Sequence, residues 1–151
     1  MRHIEDAAQA EVIRWARMRQ ATAPELELLY HIPNGGSRGL LEAVRLKAQG
    51  VRAGVPDLHL PVARAGYHGL WIEMKTATGR LSEDQRKIIA MLCAEGHRVE
   101  VCRSAADAVE VLEDYMRVPT PTIAPSLRAA HGIAGSNGVR FDAAESRERC
   151  S

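Results

Sequence analysis

The sequence predicts an α/β domain, a mixed β-sheet flanked by helices in the order α-β-α-β-β-α-β-α. Three observations carry this. Short apolar runs of strand period alternate with longer runs of helical period. Helical runs carry start or stop signals, among them Gly50, Ser82, Gly96 and Ser104. Two strand-like runs succeed each other through a turn with no helix between them, so the sheet is not built from crossovers alone.

In chain order, residues 4–19 read as a helix and residues 26–32 as a short strand. "PNGGSRG" is a loop, and residues 40–49 are helical with Gly50 as the stop. Residues 55–60 form a strand, 61–66 a turn and 67–75 a second strand. In that second strand Leu70, Ile72 and Met74 alternate with Trp71, Glu73 and Lys75. Ser82 opens a helix that closes at Gly96, residues 98–102 are a strand, and Ser104 caps the last helix. After Tyr115 the composition shifts. "RVPTPTIAPS" is proline-rich, and the remainder of the chain is small, polar and aperiodic. The expected organisation is one domain over residues 1–116, then a linker and a flexible or peripheral tail over 117–151.

A length of 151 residues gives one domain a real core but does not suffice for two. Apolar residues make up 46%, ordinary for a globular chain, and no apolar run is long enough to span a bilayer. "MRHIEDAAQAEVIRW" has acids and no continuous apolar stretch, so it does not read as a secretory signal. Cys93, Cys102 and Cys150 have no metal spacing and cannot all pair, which fits a reducing, cytoplasmic setting. Neither a membrane partner nor a nucleotide or organic cofactor is expected. The net charge of +1 excludes a polycation. Its distribution says more: residues 38–87 hold nine Lys/Arg against five acids, and residues 88–118 three against six. A local basic surface suits a polyanion, and a solvated mixed-charge surface is the alternative.

The chemistry concentrates in "GVPDLHLPVARAGYHGLWIEMK". Glu73 and Lys75 project from one face of one strand. If the two strands pair through the turn, Asp57 lies beside Glu73. Two adjacent carboxylates repel and desolvate poorly, so a positive partner is required. A hard divalent cation, Mg²⁺ or Mn²⁺, meets that need with carboxylate, carbonyl and water oxygens, and the Met74 carbonyl is a further candidate ligand. Lys75 would then orient a water or neutralise charge on a phosphate. The plainer alternative is an exposed polar strand face. Pro56 speaks against it, because proline is out of place in a central strand unless the chain must bend there. In the first helix, Ile4, Ala7, Ala8, Trp15 and Met18 form an apolar stripe with Glu11 at its centre, which implies either a salt bridge or a site role. Gln85 completes a capping box with Ser82 or faces the acidic strands. "HIPNGGSRG" offers Asn34, Ser37 and Arg38 to a phosphate. His31, His59 and His68 show no metal spacing, and His59 reads as a packed or exposed histidine.

Pro56-Asp57, with Glu73-Met74-Lys75 further along the chain, resembles the PD-(D/E)XK nuclease signature. "HIPNGGSRG", "RLKAQGVRAGVPDLHLP", "LWIEMKTATGRLSEDQ" and "LCAEGHRVEVCRSAADAVEVL" resemble the VRR-NUC family in the family's order, over residues 11–115. The resemblance implies a restriction-endonuclease-like core and a Mg²⁺- or Mn²⁺-dependent DNA endonuclease. It implies Glu11 as the first-helix acid, Asp57 and Glu73 as metal ligands, Lys75 as the catalytic lysine and Gln85 as the supporting glutamine. Asn34, Ser37, Arg38, Lys47 and Arg52 would lie near the DNA backbone. Stand-alone members of the family look like dimeric Holliday-junction resolvases. The expectation is therefore a homodimer on branched DNA, serving replication, recombination or repair in the cytoplasm of a bacterial or phage-infected cell. The alternatives are a non-catalytic DNA-structure-binding protein and a restriction-like nuclease on the same fold.

Overall fold

The computed structural model describes residues 2–33 and 40–119. Asn34, Ser37 and Arg38 of the expected phosphate loop lie outside the described residues, as does the tail beyond Pro119. Contacts divide the chain into one unit over Met1–Pro121 and a second over Thr122–Ser151, which is wholly outside the described residues.

Helices α1 (Arg2–Arg19), α2 (Leu40–Ala48), α3 (Glu83–Ala94) and α4 (Ala105–Arg117) combine with strands β1 (Tyr30–His31), β2 (Leu58–Leu60), β3 (Leu70–Met74) and β4 (Arg98–Cys102). The element order is the one the sequence predicts. The strands form one mixed sheet in the order β1-β2-β3-β4. The first three strands are antiparallel neighbours, and β4 runs parallel to β3. The chain must cross over to make that parallel pair, and α3 is the crossover.

Three strands are shorter than expected, each for a local reason. Residues 26–28, expected as strand, belong to a 3-10 helix (Pro24–Leu28). Pro24 at its start fixes a helical φ, and the turn closes through Leu26 N–H to Ala23 O (3.0 Å) and Leu29 N–H to Leu26 O (3.1 Å). β2 starts only after Pro56, which has no N–H to give a ladder. β3 starts after Gly69, because Tyr67 instead closes a tight turn with Arg64 around Ala65 (φ 51°) and Gly66 (φ 84°).

The period-two alternation of β3 divides the sheet. Leu70, Ile72 and Met74 join Leu58 and Leu60 in a core with Val12 and Ala16 of α1 and Ala108, Leu112 and Tyr115 of α4. Helix α3 packs on β4. The alternate residues of the sheet carry an aromatic cluster: His59 stacks on Trp71 at 3.8 Å between ring centroids, and its Nδ1 meets the Tyr30 hydroxyl at 2.8 Å. Burial, then the neighbouring His97, pulls the His59 pKa down to about 4, so it packs as a neutral ring. Among the described residues no helix is long and apolar enough to cross a membrane.

Tyr115 ties the core to the chain leaving β2. It is 0% exposed, and its hydroxyl donates to Val62 O at 2.7 Å. Tyr115→Phe keeps the ring and orphans that carbonyl. It is expected to cost about 1 kcal/mol in urea unfolding. Unchanged stability would show that the bond contributes nothing.

Candidate active site: a buried carboxylate pair beside Lys75

The β2–β3 register pairs Leu58 with Ile72. One step further along the same register puts Asp57 opposite Glu73, which is the adjacency expected from the sequence. Glu73 is 1% exposed, although it stands on a strand whose neighbours Ile72 and Met74 are core. Its Oε1 accepts from Lys75 Nζ at 2.7 Å and from Gln85 Nε2. Its Oε2 is buried and has no hydrogen-bond partner among the described residues. Asp57 Oδ2 accepts from Met74 N–H at 2.9 Å, so the second acid is fastened to the strand that carries the first.

These groups line a cleft of about 410 Å³ together with His31, Met74, Ser82 and three residues of α1: Glu5, Asp6 and Gln9. Glu5 Oε1 accepts from Thr76 N–H at 3.0 Å, at the start of the loop after Lys75. Glu11 is elsewhere. It is exposed and absent from the cleft lining. Glu11 thus does not reach the cleft as expected, and Glu5 and Asp6 are the α1 carboxylates that line it. Glu5 and Glu11 stand about 120° apart around the helix axis. The face that packs is Ala8, Val12 and Ala16, with Glu5 continuing it into the cleft. Ile4 and Met18, which anchored the expected stripe, are 65% and 70% exposed. Small residues mark the close approach here, Ile13 and Trp15 pack at its edges, and Ile4 and Met18 lie off it.

Gln85 does both things the sequence left open. Its backbone N–H donates to Ser82 Oγ (3.1 Å) and its Oε1 accepts from Ser82 N–H (2.9 Å), which is a full capping box. Its remaining Nε2 donates to Glu73. The helix start and the acid are thereby built from one side chain. Gly54 lets them approach. Its φ is +84°, and a Cβ there would come within 2.5 Å of the Asp84 backbone carbon and 2.8 Å of Gln85 N. Lys47 and Arg52 are exposed and lie outside the cleft lining, Arg52 two residues before Gly54.

The electrostatics are set by burial. Desolvation pushes the Glu73 pKa up to about 7. The Asp57 and Glu5 charges add to that rise, and Lys75 opposes it. Asp57 is also raised, chiefly by burial, against the Met74 N–H bond and the charges of Lys75 and His31. Among the described residues, no three His, Cys, Asp or Glu side chains converge as a ready-made metal cage. The reason is visible in the bonds: one Glu73 oxygen is turned to Lys75 and Gln85, and one Asp57 oxygen to a backbone amide. The donor chemistry still fits a hard divalent cation, because the cleft offers carboxylate oxygens and the orphaned Glu73 Oε2 lacks a partner.

A mixed sheet flanked by helices, with two acids, a lysine and a helix glutamine in one cleft, has the restriction-endonuclease-like architecture. Residues 2–106 match the VRR-NUC domain, and the chain belongs to that family of nucleases, whose substrate is DNA and whose members typically use divalent metals. A solved structure described as a VRR_NUC domain protein is similar to it at 32% sequence identity and a TM-score of 0.67, covering 78% of this chain and 91% of that one. No match is found among curated proteins.

Two outcomes test this geometry. Gly54→Ala must push the first turn of α3 away from β3, or strain a positive φ, or both. It is expected to lower the melting temperature and to weaken the Gln85–Glu73 contact, seen as faster amide exchange at Glu83 to Arg86. Wild-type exchange in that turn would contradict the packing. The second outcome concerns pH. The folded state favours neutral Glu73, since its pKa rises from 4.5 to about 7. Glu73 therefore contributes stability below about pH 4.5 that is lost as pH rises through about 7. Without metal, the melting temperature of Glu73→Gln relative to wild type should climb across that window. A flat difference would show that burial does not perturb Glu73.

Proposed function

We propose that the protein is a Mg²⁺- or Mn²⁺-dependent endonuclease that hydrolyses phosphodiester bonds in branched DNA as a homodimer. The observation that carries this reading is the Glu73 carboxylate: buried, raised in pKa, flanked by Asp57 and Lys75, and left with one unpaired oxygen. A solvated strand face would have no reason to bury such a group.

Asp57 and Glu73 would hold the cation, with Glu5 from α1 and the Met74 carbonyl completing an all-oxygen set. When bound, the cation lowers the pKa of water and offsets charge on the phosphate. The chain's own groups do the rest. Lys75 Nζ, 2.7 Å from Glu73 Oε1, would stabilise charge that grows on the phosphate in the transition state. Gln85 holds the orientation of Glu73 while its other amide atom anchors α3. Lys47 and Arg52, both exposed, with Asn34, Ser37 and Arg38, supply sequence-independent contacts to the backbone. A four-way junction has two symmetric cleavage points, and a C₂ dimer presents two clefts with matching symmetry. The setting that suits this activity is the cytoplasm of a bacterial or phage-infected cell, where DNA is at hand and the free thiols of Cys93 and Cys102 persist.

The test joins cleavage to melting curves. Four-way junction, flap, duplex and single strand are each incubated with Mg²⁺, Mn²⁺ or EDTA. Asp57→Asn is expected to abolish cleavage, to leave the metal-free protein as stable or more so, and to lose most of the Mg²⁺-induced rise in melting temperature. Lys75→Ala is expected to lose cleavage while keeping Mg²⁺ and DNA binding, because its part lies in the transition state. Undiminished cutting by Asp57→Asn would end the reading. Binding to junctions without cutting under any metal would favour a non-catalytic DNA-structure-binding protein.

A further inference from the structure

We infer that Arg103, in the short turn between β4 and α4, is a positioning residue that holds the loop after Lys75 and, through it, both Lys75 and Glu5; its effect on cleavage rests on the nuclease reading above. Arg103 is exposed and does not line the cleft. Yet its Nη1 donates to three backbone carbonyls of a single turn: Thr76 O at 2.9 Å, Ala77 O at 3.2 Å and Gly79 O at 2.9 Å. One nitrogen carries two protons, so the three acceptors share them and gather around one point. The base of the arginine is itself fixed. Its N–H donates to Asp107 Oδ2 (3.0 Å), and Asp107 Oδ1 accepts from Ser104 Oγ (2.7 Å) at the start of α4.

The clamped turn begins at the residue after Lys75. Lys75 N–H donates to Cys102 O at 2.8 Å, so the lysine leaves the sheet from a pinned backbone. The turn then folds back over its stem: a Cβ on Gly79 would lie 3.3 Å from Lys75 Cδ and 2.9 Å from Thr76 Oγ1. Thr76 is gripped from two sides. Its N–H goes to Glu5 of α1, and its carbonyl goes to Arg103. Removing the guanidinium would therefore loosen the wall beside the lysine stem and the anchor of the α1 carboxylate together. A guanidinium suits the task because its planar fork reaches several acceptors at once, whereas an ammonium is a compact, strongly hydrated point charge. An exposed arginine near a DNA cleft also suggests a phosphate contact. The commitment of Nη1 to three carbonyls favours the positioning role.

The full chain is compared as wild type, Arg103→Ala and Arg103→Lys in three measurements: single-turnover junction cleavage with Mg²⁺, junction affinity against salt in EDTA, and amide exchange over Thr76 to Gly79. Arg103→Ala is expected to slow the single-turnover rate on the order of 10²-fold, the scale set by small misplacements of reacting groups. Affinity and its salt slope should hold, and exchange in the turn should quicken. Added guanidinium ion at sub-denaturing concentration should restore part of the rate, and equal ammonium should not. Arg103→Lys should fall between the two, and it carries the same test if Arg103→Ala does not fold. Wild-type rate with wild-type exchange would overturn the proposal. So would a drop in affinity with a salt slope smaller by about one, which marks a phosphate contact. If the wild type cuts nothing, the nuclease reading fails, and exchange over Thr76 to Gly79 still decides whether Arg103 holds the turn.

Discussion

Everything near the cleft depends on placing an acid inside a sheet. Glu73 sits between two core residues of β3, against a second carboxylate and close to a third. Water would stabilise its charge, and the fold withholds water. A buried carboxylate of this kind is costly, so the surroundings are organised to answer it. Lys75 answers with a charge two residues along the same strand face. Gln85 answers with a donor. Met74 N–H draws the Asp57 carboxylate to the backbone, so that it does not crowd its neighbour freely.

The answer from Gln85 ties the geometry of the cleft to secondary structure. A side chain that closes a capping box is normally occupied with its own helix end. Here the amide divides its two ends between tasks, oxygen to the helix and nitrogen to the acid. Such a division needs the helix start to lie almost against the strand region, and a side chain at residue 54 would forbid that. Glycine, glutamine and glutamate thus form one mechanical unit, although they come from a loop, a helix and a strand.

Much of this could be read in the sequence, because it rests on short-range periodicity. The alternation in β3 places Glu73 and Lys75 on one face. The hairpin register places Asp57 opposite. The Ser82 and Gln85 spacing marks both the helix start and the residue that faces the acids. What could not be read is tertiary. The rotation of α1 depends on which residues approach the sheet, and alanines with one valine do so in place of the bulky Ile4 and Met18. Hydrophobic weight therefore pointed to Glu11, whereas Glu5 and Asp6 enter the cleft. The 3-10 turn at Pro24–Leu28 carried a strand-like apolar pattern, and proline chemistry overrode it. The Arg103 clamp left no local signature, since its three acceptors are backbone carbonyls more than twenty residues away.

The parallel pairing of β4 with β3 has a consequence for the time at which such a site exists. During synthesis, a chain that has emerged through Gln85 already carries Glu5, Asp57, Glu73 and Lys75. It still lacks the strand that pairs with β3 along Leu70 to Met74 and accepts the Lys75 amide, and the helix whose Leu112 and Tyr115 seal the core. Long-range strand pairing forms late because the intervening chain must first be closed. The hairpin that brings Asp57 to Glu73 is therefore made before the strand and helix that cover it, and the surroundings of the buried acids are completed only when β4 and α4 have been added.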